Sequence, residues 1–343
     1  MDLFHGACMP PLLLPPLLRP GQTIGFFSPS SAATAWAPTR FERARTFLEG
    51  KGFRLRAGSL TGKRDHWRSG SIAERAEEFN TLIRDPEVRA IMSVIGGHNS
   101  NSLLPYLDYE ALKRDPKIVI GYSDVTALLL GIHAKTGLVT FYGPALVASF
   151  GELEPLVGRT FDYFSRLCVS GCAPHVLPTP TEWSDERLDW ESQSRPKSCQ
   201  DNQLVSVGRG RVSGRLIGGN LNTMAGLWGS PYMPAIEAGD ILFIEDCLKS
   251  AEVVERSFAH LKLCGVFDRI GGLVLGKHEQ FDSQGSGKRP LDILLEVVGV
   301  PTFPILAEFD CAHTHPMLTL PIGVQAELDV DRATLTLQEP WWQ

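Results

Sequence analysis

Residues 118–129 read IVIGYSDVTALL, and this stretch decides the fold. A β-branched apolar run, Ile118–Ile120, enters a glycine. Tyr122-Ser123-Asp124 follows, and the chain leaves in an apolar helical pattern. A strand that turns sharply into a helix at a serine has the layout of a nucleophile elbow. The common elbow has a second glycine two residues after the serine; here that position is Val125. Ser123 therefore reads in two ways, as a nucleophile over the carboxyl edge of a sheet or as a serine that caps a helix. In the first reading the Asp124 N–H points to where an oxyanion would form, and Gly121 leaves room for the turn.

The same alternation extends on both sides of this stretch. TIGFFSPSS is a strand that ends in a Ser/Pro loop, and PTRFERARTFLEGKGF has helical spacing up to Gly52. SIAERAEEFNTLIRD is a helix that Ser71 caps, with Glu74 completing a capping box. VRAIMSVIGG is a buried-type strand. Strand, helix, strand, helix predicts a parallel sheet with helices on its faces, and ligands at the carboxyl ends of its strands. Three loops fall there: Ser28–Ser31, Gly96–Asn101 and Gly121–Asp124. The loop IGGHNSN lacks the spacing and lysine of a phosphate-binding loop, and TIGFFSPSS lacks a dinucleotide fingerprint. The sequence calls for no cofactor.

After Gly171 the pattern breaks into a polar, proline-rich stretch with Trp183 and Trp190, which reads as a linker or long functional loop. A mixed α and β region then contains GDILFIEDC, an apolar strand that ends in Glu245-Asp246, and CAHTHPMLTLPIG. The resulting division is a tail (1–20), an N-terminal α/β domain (21–170), a linker or substrate loop (171–203) and a C-terminal mixed α/β domain (204–343). In the last region Cys311, His313 and His315 alternate. They read as a zinc set, as a general base or as structural histidines. A carboxylate at a strand end, Glu245, has the placement of a group that orients a histidine. Lys249 could neutralise an anionic substrate.

Bulk properties narrow the class. The chain has 343 residues, 43% hydrophobic and 21% charged, with a formal net charge of -6. That length predicts two domains, and the charge disfavours a nucleic-acid partner. Seven scattered cysteines are not a disulfide framework. No run approaches the roughly 20 apolar residues that span a bilayer. Prolines interrupt the apolar N-terminus, so it does not read as a signal peptide. The expected location is the cytoplasm, with no membrane partner.

Taken together, SPSS, GYSDVTAL, LFIED and HTHPMLTLPIG, in that order, resemble the LD-carboxypeptidase family of serine peptidases. Within it they look most like the microcin C immunity branch. The resemblance runs from about Gly21 to the end. It implies a Ser-His-Glu triad of Ser123, His313 and Glu245, with the backbone N–H groups of Gly97 and Asp124 as oxyanion donors and no metal. Ala312 stands where many members have glycine. The family places the nucleophile on an N-terminal domain and the acid and base on a C-terminal one, so the site lies in the cleft between them. A homodimer is implied as well. The branch is argued from IGGHNSNSLLPYLDY, which lacks the Arg before the paired glycines and the following Tyr-Gly usual in murein enzymes. It implies cleavage of the amide between an aminoacyl or peptidyl group and a nucleotide. Trp190 or Trp183 would stack on the base, and Asn222 and Lys249 would hold the ribose and its linker. The rival readings are a murein tetrapeptide LD-carboxypeptidase, a non-catalytic protein that binds a nucleotide-like ligand, and a zinc hydrolase.

Overall fold

The structure is a computed structural model that describes residues 10–311 and 313–343. Residues 1–9, which make up part of the expected tail, and Ala312 lie outside the described residues. Five short strands form the parallel part of the six-stranded first sheet: β1 (Thr23–Phe27), β2 (Arg54–Ala57), β3 (Val88–Ser93), β4 (Ile118–Gly121) and β5 (Thr140–Tyr142). They lie in the order β2-β1-β3-β4-β5, and every pair is parallel. All residues of β1 and β4 are buried, as expected for strands covered on both faces. The strand order reverses between β1 and β3, so their carboxyl ends open a crevice at a topological switch point.

Helices α1 (Ala33–Trp36), α2 (Pro38–Gly50), α3 (Ile72–Arg84), α4 (Tyr109–Arg114) and α5 (Thr126–Thr136) alternate with these strands. The capping box on α3 forms as read: Ser71 Oγ accepts from Glu74 N at 3.2 Å, and Glu74 Oε2 accepts from Ser71 N at 2.9 Å. Gly137 ends α5 at φ 73°, and a Cβ there would lie 2.1 Å from Pro11 O. Only glycine fits both demands. Leu13 bonds to Gly137 and Val139 on either side of that turn, so the proline-rich segment is strapped to the body.

Beyond α6 (Leu156–Ser165), the 171–203 stretch is pinned down at several points. Its strand β6 (His175–Val176) adds to the second sheet, and β7 (Glu182–Trp183) pairs with β8 (Gln200–Asp201). Ser184 and His315 exchange backbone bonds of 2.8 and 2.9 Å. The buried Arg40 donates to Gln193 Oε1 at 2.7 Å and to Glu152 Oε2 at 3.1 Å. Breaking this buried pair would leave an uncompensated charge, so the knot holds the stretch against α2.

The second sheet is mixed. Its strands are β9 (Val205–Val207), β10 (Arg211–Asn220), β11 (Ile241–Glu245), β12 (Gly272–Gly276) and β13 (Ile305–Phe309), with β15 (Gln325–Asp329), β16 (Thr334–Leu337) and β6. The first half of β10 runs antiparallel to β15 and the second half parallel to β11, so one strand links two pairing modes. Helices α7 (Leu221–Ala225), α8 (Ala251–Leu263) and α9 (Pro290–Val298) complete this half. The segment β14 (Leu320–Ile322) does not join the second sheet. It returns to the first as an antiparallel edge beside β5. No helix among the described residues is long and apolar enough to cross a membrane.

Candidate active site

The elbow is built by close backbone approach. Ser123 has φ 63°, a left-handed conformation that costs a non-glycine residue on the order of 1 kcal/mol. The surroundings hold it there. A Cβ on Gly121 would meet Val125 Cγ1 at 2.8 Å, and one on Gly96 would meet Ser123 Cβ at 2.8 Å and Asp124 N at 3.0 Å. Neither Ser123 nor Asp124 makes a side-chain cap on the following helix. The cap reading of Ser123 therefore fails. The Asp124 carboxylate instead accepts the N–H groups of Asn99 and Ser100 at 3.0 and 2.9 Å, which ties the elbow to the Gly96–Asn101 loop.

The three strand-end loops interlock. Ser30 Oγ accepts from His98 N at 2.9 Å and donates to Asn99 Oδ1 at 2.9 Å. Gly97 has φ 149°, and a Cβ there would lie 2.2 Å from Ser30 Oγ, so the serine occupies the space of the missing side chain. The buried Arg75 of α3 donates to Pro29 O at 2.6 Å and to Asn99 Oδ1 at 2.7 Å. Gly97 and Asp124 thus belong to one interlocked set of loops, whose Gly96 sits against Ser123.

The second half supplies Glu245, the fully buried last residue of β11. Its Oε2 accepts from His313 Nδ1 at 2.7 Å. Its Oε1 accepts from Asn220 Nδ2 at 2.9 Å and from the Tyr142 hydroxyl. The Tyr142 oxygen in turn accepts the Ser123 N–H at 3.2 Å. Burial works against the Glu245 carboxylate, but His313, Tyr142 and Asn220 hold it below its ordinary range. Burial also works against the His313 imidazolium, yet the neighbouring Cys247 and Glu245 keep it well above the ordinary imidazole value.

His313 packs edge-on against Tyr122, the residue before Ser123, with ring centroids 4.9 Å apart. Its Nε2 is buried and has no hydrogen-bond partner among the described residues. The hydrogen bond from Ser123 Oγ to that nitrogen is not formed in this structure, and such contacts commonly tighten only with substrate bound. Cys311, His313 and His315 do not converge. Cys311 Sγ packs on Gly276, His313 turns to Glu245, and the His315 backbone is engaged by Ser184. Among the described residues no group of three potential ligands could hold a metal ion.

The expected substrate contacts separate. Trp190 lines a cleft with Trp36, Ile95, Arg187, Leu188 and Asp189, and Ile95 leads directly into Gly96 beside Ser123. Trp190 is stacked on Trp36 at 5.1 Å and lies over the Arg40 guanidinium at 4.5 Å. Trp183 is not among the residues that line this cleft. It stands over Lys277, which pairs with Asp310. Asn222 is exposed on α7 and lines a separate cavity against α8 with Trp228, Arg256 and His260. Lys249 Nζ lies 3.9 Å from Asp246, a carboxyl raised to about 6 by burial and by Glu245. Sequence reasoning missed Tyr142, Asn220 and Trp36. Tyr142 carries one weak signal, a polar-tipped aromatic that ends a strand just before Gly143.

A serine at a strained strand-to-helix turn, opposite a carboxylate-held histidine, places the protein among the serine hydrolases. The LD-carboxypeptidase N-terminal domain matches residues 24–143 and the LD-carboxypeptidase C-terminal domain matches residues 213–328, and the chain belongs to this family of serine peptidases. Among its relatives, a Vibrio cholerae protein named as a carboxypeptidase is 60% identical over 94% of this chain and 96% of its own length. The Escherichia coli microcin C7 self-immunity protein MccF is 53% identical over 96% of this chain and 97% of its own. A solved structure of MccF without ligand matches with a TM-score of 0.95, at 52% identity, covering 96% of this chain and 100% of that one. The resemblance to the MccF branch therefore holds across both halves. Other MccF structures, with TM-scores of 0.95, contain glutamyl sulfamoyl guanosine or aspartyl sulfamoyl adenosine.

Proposed function

We propose that this serine peptidase cleaves the amide between an aminoacyl or peptidyl group and a nucleotide, and so disarms antibiotics of the microcin C kind. Ser123 attacks the carbonyl carbon, and His313 Nε2 takes the serine proton and later delivers it to the leaving nitrogen. Glu245 fixes the tautomer by accepting Nδ1–H and stabilises the imidazolium. The oxyanion rests on Gly97 N–H and Asp124 N–H, each donor worth roughly 3–4 kcal/mol in comparable sites. Water then releases the acyl group. The observation that carries the reading is the buried Glu245–His313 pair at 2.7 Å, packed against the residue that precedes the strained Ser123.

The nucleotide reading is supported by the ligands in the MccF structures and by the Trp36–Trp190 cleft that begins one residue from Gly96. An aromatic face binds a base by stacking. A cytoplasmic homodimer belongs to the same reading and is tested by sedimentation. The deciding experiment incubates the protein with aspartyl sulfamoyl adenosine and, separately, with a murein tetrapeptide, and follows products by mass spectrometry. Cleavage of the nucleotide amide, lost in Ser123→Ala, is expected. Release of the terminal D-residue from the tetrapeptide alone would assign the murein activity instead. Stoichiometric binding without product would make the protein a sequestering one.

A further inference from the structure

Tyr142 closes β5 and is completely buried. Its ring packs between Phe243 at 5.5 Å and Tyr122 at 6.5 Å, which explains an aromatic residue but not a hydroxyl. The hydroxyl has two partners. Ser123 N–H is a donor only, so the phenol oxygen must accept from it, and its single proton goes to Glu245 Oε1. Burial first, and then the Glu245 carboxylate, raise Tyr142 well above the ordinary phenol value, so this proton stays in place. With Asn220 Nδ2 on the same carboxylate oxygen at 2.9 Å, Oε1 is occupied and Oε2 is left to His313.

We propose that the Tyr142 hydroxyl is a positioning group that sets the register between the Ser123 elbow on one sheet and the Glu245–His313 pair on the other, and tempers the pull of the carboxylate on the imidazole. The inference rests on the triad reading above. It has two consequences. The Ser123 N–H is engaged by the phenol, so oxyanion stabilisation falls to neighbouring N–H groups. Donation to Oε1 draws charge from the carboxylate, so the imidazolium is held less tightly than by Glu245 with one oxygen free.

Other groups also face the imidazole and stay constant in the test. Asp246 and Cys247 follow β11, His278 and Glu279 follow β12, and Tyr122 and His315 flank the ring. Cys311 lies towards Tyr142.

The experiment is a ¹⁵N-histidine NMR titration of the full chain, with His313 assigned through His313→Gln, for the wild type and Tyr142→Phe. The His313 midpoint is expected to rise by about half a unit to one unit in Tyr142→Phe, less than the full worth of a hydrogen bond to a charged group, because the imidazole feels the lost donor only through the carboxylate. With aspartyl sulfamoyl adenosine, kcat should fall roughly tenfold with little change in KM, because the register loss acts on chemistry rather than binding. Fluorotyrosine at position 142, a stronger donor in the same shape, should move the midpoint the other way, and it keeps the test decisive if Tyr142→Phe folds poorly. An unmoved midpoint in the folded variants would overturn the proposal. The titration needs no turnover. A Ser123→Ala variant that still cleaves would therefore sink the triad reading separately.

Discussion

His313 Nδ1 lies 2.7 Å from Glu245 Oε2, while Nε2 of the same ring is buried without a partner. One nitrogen is committed to the carboxylate, and the ring packs edge-on against the elbow residue Tyr122, the disposition the general-base reading calls for. The imidazolium is favoured over its ordinary value of 6.5, so the basic form is populated only at higher pH. The acidic limb of kcat/KM should therefore lie above pH 6.5. Glu245→Gln removes the anion and should shift that limb downwards while lowering kcat/KM by about 10²–10⁴-fold. A pH–rate profile of both proteins checks this.

The same pair makes a prediction for stability. Glu245 is held below its ordinary 4.5, so its contribution is present above that pH and lost as pH falls through the native value. His313 is held above 6.5, so its contribution is complete below that pH and lost as pH rises through the native value. The melting temperatures of the wild type and Glu245→Gln should differ most between these two ordinary values, and converge only as pH passes beyond the two native values. Calorimetry across pH measures the difference.

Ser123→Gly should separate strain from chemistry. Glycine adopts φ 63° without penalty, so this variant should be inactive yet more stable by on the order of 1 kcal/mol. Ser123→Ala should be equally inactive without that gain. A thermal melt of the three proteins, expected to show a rise of about 2 °C for glycine alone, decides it.

Gly96→Ala tests the close approach at the elbow. The added methyl would lie 3.0 Å from both Ser123 Oγ and Asp124 N. It should lower kcat at least tenfold while leaving the circular dichroism spectrum native, because one misplaced atom beside the proposed nucleophile costs about this much. Unchanged kcat would place the reacting carbonyl elsewhere.

The two loop tryptophans should behave differently. Trp190 lines the cleft beside Ile95, whereas Trp183 covers Lys277. Trp190→Ala should raise KM for aspartyl sulfamoyl adenosine roughly tenfold with kcat nearly unchanged, the loss of one stacking contact. Trp183→Ala should leave KM alone and lower the melting temperature. Steady-state kinetics with a parallel melt distinguishes them.

The alternation of strands and helices was legible because each carries its own period and punctuation, as the Ser71–Glu74 capping box shows. The elbow was only half legible in its own stretch, where Ser123 read equally as a helix cap; the LFIED and HTHP stretches further along the chain tipped the reading. The groups behind it were not. Tyr142 and Asn220 act through one hydroxyl and one amide that meet only when two sheets pack, and no local spacing announces that meeting. The distinction between Trp183 and Trp190 was hidden for the same reason. Both stand in polar surroundings in the sequence, and only the Arg40 knot and the β7–β8 pairing decide which faces the cleft. Asp124 shows the opposite case. The elbow layout gives a use only to its backbone N–H, while its carboxylate holds two N–H groups of a loop 24 and 25 residues away in sequence.

The edge strand β14 carries a consequence for how the protein comes into being. Leu320–Ile322 completes the sheet that holds Ser123, almost 200 residues after the elbow has been synthesised. A nascent chain, or a fragment cut near residue 170, leaves β5 with an open edge and Tyr142 without Glu245. Such a fragment would be prone to pair with other chains. The two halves are thus one inheritance rather than two modules, and on the triad reading hydrolytic competence arrives only once nearly the whole polypeptide has been made.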